Sequence, residues 1–300
     1  MTDLRLESLA HRLGDIAELD APLARYSAAG IGGPADLLVV ASSRDDLVRA
    51  VTEVRAAALH YKVFGGLTNC LVADEGIRGV VILNRARDYR FEEGGRLYAE
   101  SGASVVKVAR EAVRRGLGGL TWAVGLPGTV GGMVVNNAGA FGGETARVLV
   151  SAEVLGPAGG PEWVEPAWFD FRYRCSRLKG AGEDVVVVAA IFRLRERDPA
   201  HLQAKAEEYT TRRCGTQPPG RTLGSTFKNP PGDYAGRLIE AAGLKGTRVG
   251  GVIVSPLHAN FLINEGSGTA ADYLALIRLV QEAVERRCGV RLEPEIELIT

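Results

Sequence analysis

A glycine-rich stretch holds the residues best suited to binding a ligand through the backbone. Residues 125–144 read GLPGTVGGMVVNNAGAFGGE and contain seven glycines. Because glycine lacks a Cβ atom and reaches positive φ at low cost, a ligand can approach this main chain closely. Thr129, Asn136 and Asn137 add short polar side chains, and the stretch carries few charges. Such a segment is typical of a cradle for a phosphate or a planar polar cofactor.

Apolar residues between these glycines help to decide whether the stretch binds a ligand. A glycine-rich surface loop is usually polar throughout, but Val130, Met133 and Phe141 interrupt this one. They favour a buried loop that contacts a ligand. Residues 64–69, FGGLTN, form a second and weaker cradle, in which a Gly-Gly turn precedes two polar residues. This second segment has neither the Gly-Lys-Ser/Thr of a Walker loop nor the GxGxxG of a Rossmann unit.

Two further segments carry polar side chains that could act on a substrate. GSTFKNP, residues 224–230, combines three kinds of hydrogen-bond donor within one turn, namely Ser225, Lys228 and Asn229. FRYRCS, residues 171–176, alternates aromatic and basic residues. This alternation leaves three interpretations open: stacking on single-stranded nucleic acid, a buried arginine that faces an anionic substrate, or a structural salt bridge.

The composition argues against several classes of partner. Lys plus Arg and Asp plus Glu both number 36, so no net field attracts nucleic acid or an acidic membrane surface. The four cysteines are scattered, so neither a zinc site nor a disulfide framework is indicated and no metal is expected. We find no targeting segment and no apolar run of membrane-spanning length. We therefore expect a cytoplasmic protein that acts on a small molecule, without nucleic-acid or membrane partners.

Periodicity and capping residues predict the elements that must position these segments. In the first half of the chain, strands alternate with helices, which indicates an α/β or α+β fold. Ser43 and Ser104 are typical N-caps of predicted helices. The best helical stripe of apolar residues begins at a cap on Thr269 and ends at Gly289. Residues 290–299 predict a terminal strand with its glutamates on one face.

Five motifs in this order resemble those of the UDP-N-acetylenolpyruvoylglucosamine reductase family, also called UDP-N-acetylmuramate dehydrogenases. They are GLPGTVGG with NNAGAFGGE, FRYRCS, GSTFKNP, HANFLIN and LEPEI, and the resemblance runs from about Tyr26 to Ile299. It implies an α+β fold, with a two-subdomain FAD-binding part of the vanillyl-alcohol-oxidase or PCMH type and a C-terminal α+β substrate-binding lobe. The lack of a long insertion between Ser176 and Lys205 implies the shorter of the family's two subtypes.

The resemblance also implies domain borders and site residues. Residues 1–82 and 83–198 would form the two FAD-binding subdomains, with the PCMH-type region at about 26–196, and residues 199–300 the substrate-binding lobe. The implied catalytic residues are Arg174, Ser225 and Glu295. The implied substrate-binding residues are Tyr173, Lys228, Asn229, His258 and Asn260. The implied FAD-binding residues are Gly65, Gly66, Leu67, Thr68, Asn69, Leu71, Gly125, Pro127, Gly128, Thr129, Gly131, Gly132, Asn137, Ala138 and Gly139.

Members of this family transfer a hydride from NADPH, through FAD, to the enolpyruvyl group of UDP-N-acetylglucosamine enolpyruvate. The product, UDP-N-acetylmuramate, is a peptidoglycan precursor. The resemblance implies that Arg174 stabilises the charge on the substrate carboxylate with help from Glu295, and that Ser225 supplies a proton. Leu67 and Thr68 stand where the family usually has Gly and Ser, and FAD is expected to be non-covalent. Two alternatives stay open: another flavin oxidase of the same fold, or a flavin-binding module without catalysis.

Overall fold

The computed structural model describes residues 3–157, 159–179 and 184–299. It divides into two compact units that interleave along the chain. Unit 1 comprises Met1–Glu18, Leu37–Gly65 and Val80–Arg212, and unit 2 comprises Leu19–Asp36, Gly66–Gly79 and Arg213–Thr300. Within the described ranges, no helix combines the length and the apolar character needed to cross a membrane. Residues 180–183, in the segment that indicates the shorter subtype, lie outside the description.

Both units contain helices. In chain order they are α1 (Leu4–Leu13), α2 (Arg44–Ala56), α3 (Val105–Arg114), α4 (Val130–Val135), α5 (Pro199–Thr216), α6 (Ala235–Ala241) and α7 (Ala270–Cys288).

The strands fall into a four-stranded and a five-stranded sheet and several smaller ones. They are β1 (Ala17–Pro22), β2 (Pro34–Ala41), β3 (Tyr61–Phe64), β4 (Cys70–Val72), β5 (Ile77–Asn84), β6 (Tyr89–Glu92), β7 (Arg96–Glu100), β8 (Leu117–Gly118), β9 (Gly139–Ala140), β10 (Gly143–Glu144), β11 (Leu149–Leu155), β12 (Pro161–Val164), β13 (Val186–Arg193), β14 (Arg195–Glu196), β15 (Arg248–Val249), β16 (Val252–Val254), β17 (Leu262–Asn264) and β18 (Glu297–Ile299).

A five-stranded antiparallel sheet organises much of unit 1. Its order is β12-β11-β13-β7-β6, and its core face packs against α3 and α4. The helix α3 is amphipathic, and its apolar face buries Val105, Val108 and Val113. Ser104 caps its first turn, as the sequence predicts. The sheet therefore provides a rigid base for α4, which lies inside the glycine-rich stretch.

A second core of unit 1 lies between helices α1 and α2 and the four-stranded sheet β1-β2-β5-β3. β3 runs parallel to β5, with Phe64 opposite Leu83. The predicted start of α2 is confirmed, because Ser43 and Asp46 form a reciprocal capping box. Since β3 ends at Phe64, this sheet sets the point at which the Gly65–Gly66 turn begins.

The core of unit 2 packs α6 and α7 against the small sheet β15-β16-β17. The predicted stripe of α7 is confirmed: Tyr273, Ile277 and Val284 are buried along one face. Thr269 forms the expected capping box, and Gly289 ends the helix at a φ of 70°. β4 and β18 pair in parallel, which joins a segment near residue 70 to the C-terminal residues.

Two local predictions are wrong. The stretch 125–144 is not a continuous loop, because Val130–Val135 form the helix α4. Tertiary packing explains this difference: Val130, Met133 and Val134 bury their side chains in the core, which outweighs the low helix propensity of two glycines. The terminal strand is also shorter than predicted: among the described residues of this segment, Glu297–Ile299 form a strand, and Pro294 makes an isolated bridge with Phe227. The three predicted lobe borders stay a prediction.

Candidate active site

Gly65 and Thr129 bring the two glycine segments into contact within unit 1. A Cβ atom on Gly65 would lie 2.2 Å from Oγ1 of Thr129, which is far inside van der Waals contact. Thr129 is the N-cap of α4, and its hydroxyl accepts a long hydrogen bond from the amide of Gly132. The sequence predicted both segments as parts of one cofactor site, and this contact places one residue of each side by side.

The predicted FAD positions that follow Gly65 belong to unit 2. Throughout the described ranges, the backbone amides of Gly66, Leu67 and Thr68 have no protein acceptor. Leu67 has a left-handed backbone with a φ of 46°, although its side chain is only 2% exposed. A bulky residue in this region is strained, and such strain is frequent at ligand sites. This segment thus offers unpaired amide donors, the groups that an anion such as a pyrophosphate requires.

Some backbone amides of the glycine-rich stretch in unit 1 form hydrogen bonds within the protein, and others are left to bind a ligand. The amide of Gly131 donates to the Ser101 carbonyl at 2.7 Å, so it supports the fold. In the described part of the chain, the amides of Gly128 and Thr129 have no such acceptor. A Cβ atom on Gly131 would lie 3.0 Å from Cβ of Ser101, so a side chain there would fit only if Ser101 shifted slightly. A cradle with close backbone approach and unpaired donors is compatible with FAD.

Two residues that the sequence interpretation missed hold this stretch in place. Ser101 is 1% exposed, and its hydroxyl accepts a hydrogen bond from the amide side chain of Asn84 at 2.7 Å. Asn84 in turn accepts the amide of Ala86 at 3.0 Å. The only signal in the sequence is a run of small residues, SGAS, at positions 101–104.

Arg174 lies in a tight turn next to the glycine-rich stretch of unit 1. The amide of Cys175 donates to the carbonyl of Arg172 at 3.1 Å and closes this turn. Arg174 has a φ of 54°, and its Nη2 atom donates to the Gly139 carbonyl at 2.6 Å. Its guanidinium also lies 5.3 Å from the ring centre of Tyr173, whose side chain is 55% exposed. The structure therefore places Arg174 and Tyr173 beside predicted FAD-binding residues.

Ser225 and Glu295 are carried by neighbouring segments of unit 2. The amide of Glu295 donates to the carbonyl of Thr226 at 2.8 Å, directly after Ser225. Ser225 also forms an antiparallel bridge with Phe261. Within the described residues, the Ser225 hydroxyl makes no hydrogen bond and is half-buried. The backbone thus fixes the spacing of these two predicted catalytic residues while the serine hydroxyl stays available.

The side-chain amide of Asn260 binds the backbone of Phe227, two residues after Ser225. Its Oδ1 accepts the amide of Phe227 at 2.9 Å, and its Nδ2 donates to the Phe227 carbonyl at 2.8 Å. The backbone amide of Asn260 donates to Nδ1 of His258 at 3.2 Å. Burial lowers the pKa of His258 below its ordinary 6.5, so the imidazole is neutral near pH 7.

Two further predicted substrate residues already have partners. Lys228 forms an ion pair with the carboxylate of Glu293, an exposed residue of the predicted glutamate face. The side-chain carbonyl oxygen of Asn229 accepts a hydrogen bond from the amide of Ala235, the first residue of α6, at 3.1 Å. Among the described residues, the Asn229 amide nitrogen has no acceptor, so it can still donate to a ligand. No group of three potential metal ligands occurs in the described ranges.

Comparison with known proteins identifies the family of this chain. Residues 35–164 match the FAD-binding domain family, and residues 217–299 match the C-terminal domain family of UDP-N-acetylenolpyruvoylglucosamine reductase. The reductase of Rubrobacter xylanophilus is 47% identical over 96% of this chain and 97% of its own length. A second reductase of Symbiobacterium thermophilum is 44% identical over 98% of this chain and 95% of its own length. The chain belongs to this reductase family.

A solved structure agrees with membership of the reductase family. The crystal structure of the UDP-N-acetylenolpyruvylglucosamine reductase of Thermus caldophilus has a TM-score of 0.81 and 36% identity. The comparison covers 95% of this chain and 98% of that chain. The predicted family and fold class are therefore confirmed, and the match to the FAD-binding domain confirms FAD as the predicted cofactor.

Proposed function

We propose that this chain reduces the enolpyruvyl group of UDP-N-acetylglucosamine enolpyruvate to give UDP-N-acetylmuramate. NADPH is the hydride donor, and the reaction supplies a precursor of peptidoglycan in the cytoplasm. The observation that carries this proposal is the identity of 44–47% to reductases over at least 95% of their length. The pairing of Ser225 and Glu295 through Thr226 supports it, because a reductase of this kind needs a proton source and a carboxylate in one site.

The proposed cofactor residues are the two glycine segments. FAD, when bound, supplies a two-electron carrier between NADPH and the enolpyruvyl double bond. The unpaired amides of Gly66, Leu67 and Thr68 would hold an anionic group such as the pyrophosphate. Asn69 donates its Nδ2 to the Glu295 carbonyl at 3.2 Å, so we assign it a supporting role within unit 2. The remaining assigned residues, which provide backbone and apolar surface, are Gly65, Leu71, Gly125, Pro127, Gly128, Thr129, Gly131, Gly132, Asn137, Ala138 and Gly139.

Arg174 is proposed to bind the carboxylate of the enolpyruvyl group. Addition of a hydride to the distal vinyl carbon would leave negative charge on the carbon that carries the carboxylate and on the carboxylate oxygens. A fixed guanidinium stabilises this charge without reorganisation, and the loss of such a donor typically costs about 100- to 1000-fold in rate. The hydrogen bond from Nη2 to Gly139 and the contact with Tyr173 hold this side chain on one side.

Ser225 is proposed to deliver the proton that completes the reduction. Its hydroxyl would protonate the carbon that carries the carboxylate, which is the basic centre once the hydride has added. Glu295 would assist Arg174 with a proton or an ordered water. The hydrogen bond from the Glu295 amide to the Thr226 carbonyl links the two backbone segments that carry Ser225 and Glu295. The distance between these segments is therefore set before the substrate binds.

The proposed substrate residues come from both units. Lys228, paired with Glu293, and the amide donor of Asn229 would bind the diphosphate and sugar. His258 and Asn260 lie next to each other in the same part of unit 2. Tyr173, which is largely exposed, would contact the substrate beside Arg174.

One assay tests the proposed function. The purified protein should be yellow, lose its flavin on denaturation, and oxidise NADPH only when the enolpyruvyl sugar nucleotide is added. Rapid NADPH oxidation with oxygen alone would favour a flavin oxidase of the same fold. Bound flavin without any NADPH oxidation would favour a binding module. The Ser225→Ala variant is a matched control, because it lacks the proposed proton donor and keeps the cofactor residues. It should bind flavin but oxidise NADPH much more slowly when the sugar nucleotide is added.

A further inference from the structure

A side chain of the glycine-rich stretch, that of Asn137, forms a hydrogen bond with the turn that carries Arg174. The carbonyl of Arg172 accepts the amide of Cys175, which closes the turn, and it also accepts Nδ2 of Asn137 at 3.0 Å. One carbonyl oxygen has two lone pairs, so both hydrogen bonds can form together. Asn137 therefore fixes the first residue of the turn, two positions before Arg174.

The burial, backbone conformation and hydrogen bonds of Asn137 hold its side chain in one orientation. The residue is 3% exposed and has a φ of 40°, a left-handed conformation that asparagine tolerates better than most residues. Its Oδ1 accepts the amide of Ala146 at 3.0 Å, so the orientation of the side-chain amide is fixed. Both ends of this side-chain amide bind the protein, so the proposed place of Asn137 in the FAD cradle concerns its backbone and not its side chain.

Further contacts bring the same two segments together. The hydroxyl of Ser176 donates to the Val135 carbonyl at 2.6 Å, and Nζ of Lys179 donates to Oδ1 of Asn136 at 2.8 Å. The guanidinium of Arg174 itself donates to the carbonyl of Gly139, two residues after Asn137. The backbone and the side chain of Arg174 are thus both positioned by residues 135–139.

We propose that Asn137 is a positioning residue that acts through Arg174, by fixing the turn that aims the guanidinium at the substrate carboxylate. This inference rests on the proposed function, because it assumes that Arg174 binds that carboxylate. A displacement of about 1 Å at a reacting group can cost on the order of 100-fold in rate. Loss of the Asn137 donor should therefore affect the step that needs Arg174 and spare the binding of flavin.

Two variants of Asn137 test this proposal. Asn137→Asp keeps the acceptor for Ala146 but loses the donor to Arg172 and to the Glu144 carboxylate, whereas Asn137→Gly removes the side chain and accepts the left-handed backbone. Both should slow reoxidation of the reduced flavin by the enolpyruvyl sugar nucleotide, on the order of 10- to 100-fold. Flavin content and the rate of flavin reduction by NADPH should stay within about 2-fold of wild type. Gln203→Glu makes the same amide-to-carboxylate change on the exposed face of α5 and should leave both rates within about 2-fold.

An Arg174→Ala background separates a positioning role from a general structural one. If Asn137 acts through Arg174, then Asn137→Gly adds less than about 2-fold to the slow reoxidation of Arg174→Ala. An equal loss in both backgrounds, an equal loss in both half-reactions, or an unchanged reoxidation rate would each overturn the inference. Wild-type protein that is reduced by NADPH but not reoxidised by the sugar nucleotide would instead overturn the proposed function.

Discussion

Gly65 and Thr129 pack so closely that a single methyl group on Gly65 would overlap the threonine side chain. Its Cβ would lie 2.2 Å from Oγ1 and 2.8 Å from Cγ2. The contact joins the end of β3 to the N-cap of α4, although the two residues are far apart in the sequence. Backbone proximity at this point depends on the absence of a side chain at residue 65.

We therefore predict that Gly65→Ala weakens FAD binding. The added methyl group must push Thr129 or the turn away, and overpacking of this kind costs about 1–3 kcal/mol. If that cost falls on the bound state, the dissociation constant of FAD rises by about 5- to 150-fold, which a flavin fluorescence titration measures. Gly160→Ala is the control, since a Cβ there meets no atom of the described residues within 4 Å. Wild-type affinity in Gly65→Ala would contradict the proposed cradle.

The second prediction concerns the separate roles of the two half-reactions. Ser225→Ala should slow reoxidation of the flavin by the sugar nucleotide by about 100- to 10000-fold, the usual contribution of a positioned proton donor. Flavin reduction by NADPH should be unchanged, and stability should change little because the hydroxyl has no partner among the described residues. Stopped-flow absorbance resolves the two steps. Ser267→Ala, a change at an exposed serine, is the control and should leave both rates unchanged. If Ser225→Ala carried out both half-reactions at wild-type rates, the serine would have no part in the mechanism.

Local sequence signals predicted the helices well. The apolar stripe and capping box of α7, and the Ser43 cap of α2, depend on residues three or four positions apart, so the sequence itself displays them. The short helix α4 could not be predicted in this way. Its glycines oppose a helix locally, and burial of Met133 and Val134 against a distant sheet decides the outcome.

The hydrogen bonds that support the candidate site could not be predicted from the sequence either. Asn137 and Arg172 lie 35 positions apart, and Asn260 and Phe227 lie 33 apart. Sequence patterns report spacing along the chain, whereas these amide contacts arise only when separate segments meet in the fold. The motifs therefore identified segments such as GSTFKNP, but they did not distinguish residues that face a ligand from residues that hold the backbone.

The third prediction is that Asn260 stabilises unit 2. Asn260→Ala removes hydrogen bonds to both the amide and the carbonyl of Phe227, a residue that is only 1% exposed. Each buried backbone group left unpaired costs about 1–3 kcal/mol, so we expect a loss of about 2–5 kcal/mol in the free energy of unfolding. Urea unfolding followed by circular dichroism measures this loss. Gln203→Ala, on the exposed face of α5, should change stability by less than about 0.5 kcal/mol.

The last prediction concerns pH and His258. Burial lowers the pKa of this imidazole below 6.5, and its Nδ1 atom accepts the amide of Asn260. As the pH falls through 6.5, the unfolded chain takes up a proton that the folded state resists. The stability contributed by neutral His258 is therefore complete above pH 6.5 and declines below it, by at most about 1.4 kcal/mol per pH unit.

The variant His258→Asn isolates this contribution. Asparagine can place its Oδ1 near the position of Nδ1 and has no titration in this range, so it keeps the acceptor for Asn260 without the pH dependence. Urea unfolding at intervals between pH 5 and 8 should show that the difference in unfolding free energy, wild type minus variant, is constant above about pH 6.5 and falls below it. A difference that stays level down to pH 5 would mean that His258 carries the same proton affinity in the folded and unfolded chains, and that its burial does not resist protonation.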